Sequence, residues 1–292
     1  MTKADLKPMP SILAKDGDGG IQITFTIPFA VIAKEREESL KEYARDMEVP
    51  GFRKGMAPIE KVREKVPPES LVEHTLSHIL PKALAQAIVE HKIKPAIYPK
   101  FELISAKEGE DWQVRAVTCE LPEVSLGDYK AAITGALRAT KLWTPGKDEK
   151  AVAPSAEEKQ QEIIKALLET VKIKIPQILV EEEVNARLAN LLDRIEKLGM
   201  TLESYLASLG KTPDVLREEY AVSARNTITL DLALEKIAEE QKITADETKI
   251  DEVVNGSSGD PAILEKLNTP EQRRLVAGII RRRAALDYLG TL

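Results

Sequence analysis

Pro50 and Pro58 bracket the stretch Gly51-Phe52-Arg53-Lys54-Gly55-Met56-Ala57, and no helix can run through a segment bounded this way. Proline lacks the backbone donor that a helix interior needs, and it pushes the residue before it out of helical angles. Helical spacing lies on both sides, with Ile32, Leu40, Tyr43, Ala44 and Met47 before the stretch and Ile59 to Val66 after it. The chain must therefore turn sharply between two helices, with Gly51 and Gly55 free to adopt backbone angles that side chains resist. The tip also carries chemistry. Arg53 and Lys54 offer charge to phosphate, Arg53 through two parallel hydrogen bonds as well, and Phe52 can enter an apolar crevice or stack on a base. The competing reading folds Phe52 back onto the helices and leaves the cations merely solvated.

Upstream, Ile21, Ile23, Phe25 and Ile27 alternate strictly with Gln22, Thr24 and Thr26, the pattern of a half-buried strand that Pro28 then stops. Residues 1–20 show no periodicity and read as a tail and turn. Asp16-Gly17-Asp18-Gly19-Gly20 opens like a calcium loop but lacks the later ligands, so turn chemistry is the reading. Downstream, Pro67-Pro68-Glu69 opens a long helix with Leu71, Leu76, Ile79, Leu80, Leu84 and Ile88 on one side and Pro81 as its expected kink. Phe101 to Ala106 and Trp112 to Leu121 flank the polar run Lys107-Glu108-Gly109-Glu110-Asp111 and read as a hairpin. The first part of the chain is thus an α+β unit, a helical pair over one face of a small antiparallel sheet, with the basic tip at the far end of the pair. His74 and His78 lie four apart on the long helix and are able to face one metal ion. Thr75-Leu76-Ser77 between them supplies no carboxylate and no third ligand is evident, so partly packed histidines, and no metal or other cofactor, are expected.

Composition narrows the partner. The net charge of -6 argues against nucleic-acid binding over the whole surface, so any RNA contact must be local. Aromatics at 4% favour aliphatic helix packing over an aromatic-rich sandwich. The lone Cys119 cannot form an intrachain disulfide and reads as a small buried apolar residue in a reducing compartment. The N-terminus has no apolar core of the kind a secretory signal needs, and no run reaches the roughly 18 apolar residues of a membrane span. A cytoplasmic protein is expected.

Residues 131–155, framed by Gly135, Pro145-Gly146-Lys147 and Ala153-Pro154, read as a charged linker with room for a short strand at Arg138 to Trp143. Residues 156–292 read as an elongated all-α part with helical arms. Val184, Leu188, Leu191, Ile195 and Leu198 form a seam that wants a partner helix, and Gly199 ends it. A second stripe passes Leu216, Tyr220, Ser223, Thr227, Leu230, Leu234 and Ile237, with a middle too polar for a sealed core. Thr201 and Thr212-Pro213-Asp214 start helices, and Thr244-Ala245-Asp246-Glu247 reads as a capping box. Pro270 opens a final helix carrying Leu275, Ile279, Leu286 and Leu289. Arg281-Arg282-Arg283 on it reads as a solvated or salt-bridged face rather than a nucleic-acid contact. No phosphate-cradling loop, nucleophile elbow or cysteine pair is found, which points to a binding protein rather than an enzyme.

The stretch from Gly51 to Pro58 resembles the ribosome-binding signature G-F-R-x-G-K-x-P of the trigger factor family of bacterial chaperones, with Met56 in place of the usual Lys. The likeness continues through Pro122-Glu123-Val124 to Asp128-Tyr129-Lys130, and more diffusely through Ile175-Pro176 to Val184 and Leu230 to Gln241. It implies a ribosome-binding domain over residues 21–130, with Gly51, Phe52, Arg53, Lys54, Gly55 and Pro58 as docking residues, and a helical chaperone domain over residues 156–292. It also implies the ribosome and nascent or unfolded polypeptides as partners, held without ATP. The family's prolyl isomerase domain has no room here, because fewer than about thirty residues separate Tyr129 from the next helical pattern and domains below roughly forty seldom fold unaided. The alternatives are a prolyl isomerase whose catalytic domain has diverged and an exported helical chaperone.

Overall fold

The computed structural model describes residues 9–139, 155–256 and 268–292. The chain divides into two compact units, one running to Leu121 and taking in Pro176–Ile178, the other comprising Pro122–Ile175 and Leu179–Leu292.

The first unit holds a four-stranded antiparallel sheet of order β1-β2-β4-β3, built from β1 (Ser11–Lys15), β2 (Gly20–Ile27), β3 (Lys100–Ser105) and β4 (Trp112–Cys119). The expected alternation is realised in β2, where Ile21, Ile23, Phe25 and Ile27 are all buried. Their β4 partners include Ala116 opposite Ile23, Val114 opposite Phe25 and Trp112 opposite Ile27, which places one apolar face against the helices. That face is covered by α3 (Pro68–His91) through Leu76, Ile79, Leu80, Ala83, Leu84 and Ala87, and by Ile32 of α1 (Phe29–Asp46). Each such large side chain contributes about 1.5–3 kcal/mol on burial. Pro81 lies inside α3, which runs on to His91. β1 falls within the expected tail; its run Ser-Ile-Leu-Ala-Lys, with three apolar residues in succession, gives no alternation to read, and its pairing with β2 from Ser11 opposite Phe25 to Lys15 opposite Ile21 defines it.

Pro28 at the N-cap of α1 offers no side-chain acceptor. The carboxylate of Asp111, from the loop between β3 and β4, accepts from the Phe29 N–H at 2.8 Å instead. The polar hairpin loop thereby supplies a cap that the helix's own sequence lacks.

The second unit is helical among its described residues: α4 (Tyr129–Ala139), α5 (Ala156–Thr170), α6 (Gln177–Lys197, whose first two residues fall in the first unit), α7 (Leu202–Leu209), α8 (Pro213–Glu240), α9 (Glu247–Gly256) and α10 (Pro270–Leu289). Ile133 of α4, Ile163 and Leu167 of α5, Leu234 and Ile237 of α8 and Leu289 of α10 share one core. The span expected to be linker therefore begins as helix. Tyr129, Ile133 and Leu137 lie on one face of α4, and burying Tyr129 and Ile133 outweighs the roughly 1 kcal/mol that Gly135 costs relative to Ala. Arg138 and Ala139 are helical and not strand; residues 140–143 of that expected strand lie outside the described residues.

The first part of the seam on α6, Val184 and Leu188, packs with Val180 against Ala224, Tyr220 and Ile228 of α8, while Leu198 at its far end is exposed. The polar middle of α8 is also explained: the Arg187 guanidinium donates to Ser223 Oγ at 2.7 Å and Thr227 Oγ1 at 2.9 Å, and its Nε to Glu183 at 2.7 Å. The cap of α9 differs from the expected box. Asp246, not Thr244, accepts from the Thr248 N–H at 3.0 Å and hydroxyl at 2.8 Å, an Asx arrangement closer along the chain to the helix.

Candidate docking site

The segment between α1 and α2 (Ile59–Lys65) consists of two successive reverse turns. Phe52 N–H donates to Val49 O at 3.0 Å and Met56 N–H to Arg53 O at 2.9 Å. In each turn the third residue is glycine, Gly51 at φ 87° and Gly55 at φ 84°. With Pro50 at the second position of the first turn, these are type II turns, whose third position demands positive φ. The base is pinned by apolar contacts: Val49 is buried with Leu40, Ala44, Val62, Val66 and Leu71, and Met47, Ala57 and Ile59 pack against them. Pro58, at φ −58°, caps the start of α2.

The tip faces outward. Phe52 keeps 43% and Met56 74% of its surface exposed, and Arg53 and Lys54 are exposed, so the arrangement with Phe52 folded back is not realised. Among the described residues neither cation has a carboxylate partner. Gly51, Phe52, Arg53, Lys54, Gly55 and Pro58 are thus brought together on one short, anchored projection. Two unpaired cations beside a half-exposed ring can neutralise phosphates while the ring enters an apolar crevice.

Arg281, Arg282 and Arg283 are ion-paired to Glu235, Asp231 and Asp287, the salt-bridged face expected for them. Cys119 is buried, and that burial, helped by Asp18, pushes its thiol up to about 11.

A second surface lies in the helical unit. A groove of about 650 Å³ between α5 and α8 is lined by Ile164, Leu168, Val215, Val222 and Leu230, with Glu218 and Glu219 among its polar residues. Val215 and Val222 are half-exposed, and Leu198 beyond α6, and Leu275 and Ile279 on α10, are more so. The apolar surplus on α5 was the available signal: Ile163 and Leu167 fill the core, while Ile164 and Leu168, one position on, have no core to enter. Leu275 and Ile279, which the periodicity groups with the buried Leu289, face solvent instead.

Residues 11–140 match the sequence model described as "Bacterial trigger factor protein (TF)", and residues 148–291 that described as "Bacterial trigger factor protein (TF) C-terminus". Trigger factor of Streptococcus agalactiae serotype Ia is 38% identical over 108 residues, 37% of this chain and 25% of that protein. Trigger factor of Enterococcus faecalis is 36% identical over 116 residues, covering 40% and 27%, and that of Lactiplantibacillus plantarum 32% over 150 residues, covering 51% and 33%. The aligned stretches amount to about a quarter to a third of these relatives' own lengths. A solved structure reported as "Promiscuous Substrate Recognition in Folding and Assembly Activities of the Trigger Factor Chaperone" is similar in fold, with a TM-score of 0.63 at 14% identity over 97% of this chain and 99% of that one. With the N-terminal and C-terminal models of one family together taking in nearly the whole sequence, the chain belongs to the bacterial trigger factor family.

Proposed function

We propose that this chain is an ATP-independent, ribosome-associated chaperone of the cytoplasm that docks through the Gly51–Pro58 projection and holds nascent or unfolded polypeptides on its helical unit. The observation that carries the reading is the outward, apolar-anchored turn bearing Phe52, Arg53 and Lys54 without ionic partners. Such a tip suits a surface that is anionic and creviced, as ribosomal RNA beside ribosomal protein is. Holding follows from the groove between α5 and α8 and from Leu275 and Ile279: each offers a weak apolar contact, and several together slow release. Docking raises the local concentration of emerging chain, so modest affinity suffices and no nucleotide cycle is required.

Met56 gives the tip one cation fewer than the family signature, which lowers affinity and the salt dependence of docking together. The two family matches leave residues 141–147 between them, and the proposed activity is holding without prolyl isomerisation. Co-sedimentation with empty ribosomes tests the docking. The full chain is expected to pellet, and the variant with Phe52, Arg53 and Lys54 all changed to Ala to stay in the supernatant; equal pelleting of both refutes the anchor. A proline-limited refolding assay tests the rest, since rate enhancement at catalytic amounts is the mark of an isomerase.

A further inference from the structure

Across the interface between α1 and α3, Glu42 meets the two histidines that lie four apart on α3. One carboxylate oxygen, Glu42 Oε2, stands 3.3 Å from His78 Nε2 and 3.5 Å from His74 Nε2, and the potential donor atoms of the three residues all lie within 4.8 Å of one another. These separations are long for charge-assisted hydrogen bonds, which close to about 2.7–2.9 Å. They match the edge of a tetrahedron of ligands about 2.0–2.1 Å from a central ion, an edge of roughly 3.4 Å. The oxygen sits almost evenly between the two rings instead of closing on one.

The rings are held in place. His74 is packed between Tyr43 and His78, with ring centroids 4.9 Å apart on each side, and the Tyr43 hydroxyl donates to Ser70 O at 3.3 Å. His74 Nδ1 is buried without a hydrogen-bond partner, and Nε2 meets only the Glu42 oxygen at 3.5 Å, longer than a closed charge-assisted bond. A cation at Nε2 would use the lone pair that this long contact leaves available. The side chains of Glu42 and His78 are about 46% and 37% exposed, which leaves an entry path and room for water as a fourth ligand.

We propose that Glu42, His74 and His78 form a binding site for a divalent transition metal of the zinc type, two imidazoles and a carboxylate being the donor set such ions accept with one position open. The ion would tie α3 to α1 near the last turn of α1 (Phe29–Asp46), stabilising the pair by mass action. Because no carboxylate or carbonyl orients His74 through Nδ1, affinity falls short of that of a built catalytic centre, by the ten- to hundredfold that outer partners supply. The site does not depend on the ribosome-binding reading.

The test uses the full, untagged chain stripped with chelator and titrated with zinc chloride by calorimetry, with cobalt(II) as a spectroscopic probe. The chain has three histidines and one cysteine, and Cys119 is buried, so few rival donors compete. Expected are one zinc per chain, visible cobalt bands of a four-coordinate site, and at least about tenfold weaker binding in each of Glu42→Gln and His78→Asn, with circular dichroism unchanged. His91→Asn, which removes an imidazole bonded to Ser11, is expected to bind like the parent. Absence of saturable zinc binding, cobalt bands of octahedral type, binding undiminished in Glu42→Gln and His78→Asn, or loss of binding in His91→Asn would each overturn the site.

Discussion

Single positions carry opposite meanings for the same substitution. Gly55 sits at φ 84° in the second turn of the projection, so Gly55→Ala forces a side chain into left-handed backbone and is expected to cost about 1–2 kcal/mol. Gly135 lies exposed in α4 with nothing near an added Cβ, so Gly135→Ala is expected to stabilise by about 0.5–1 kcal/mol. Urea denaturation of the two variants checks both signs. Cys119 gives a chemical test. With its thiol held near 11 by burial, the native protein contains little thiolate at pH 8–9 and should alkylate far more slowly than the unfolded chain. The unfolded thiol ionises first, so this residue withdraws stability as pH rises from about 9 toward about 11. The two turns of the projection were legible because glycine and proline dictate turns locally. The third donor to the histidine pair was not, because Glu42 arrives from another helix and spacing along α3 says nothing of what packs beside it.

Helices and strands were read from period, and where a stripe was strong the structure agrees, as in β2, α1, α3 and the partnership of α6 with α8. The misses share one cause, tertiary contacts acting on weak local patterns. β1 exists through its pairing and α4 through the burial of Ile133, and the cap of α1 likewise comes from afar, from Asp111. Asp111→Ala leaves the Phe29 N–H uncapped and is expected to cost about 0.5–2 kcal/mol, with faster hydrogen exchange confined to the start of α1. Arg187 was invisible as the partner of Ser223 and Thr227, since the stripe on α8 records only that hydroxyls share its apolar side. Arg187→Met removes three hydrogen bonds from a partly solvated guanidinium, and a loss of about 1 kcal/mol is expected, read as earlier exchange of the amides around Val184.

At the scale of the whole chain, the proposed function assigns docking to the first unit and holding to the second. Holding predicts that aggregation of a denatured model protein is suppressed at near-stoichiometric amounts, equally with and without ATP. Val215→Ser with Val222→Ser, both half-exposed on the groove, should weaken that suppression several-fold while leaving the melting temperature within a few degrees. The most direct measurement of the central claim is photo-crosslinking to purified ribosomes from p-benzoylphenylalanine placed at position 52, compared with position 98, where Tyr98 is 73% exposed on the same unit. The account predicts discrete adducts to exit-site protein or RNA from position 52 and none from position 98. Adducts of equal yield from both positions, or none from position 52, would contradict it.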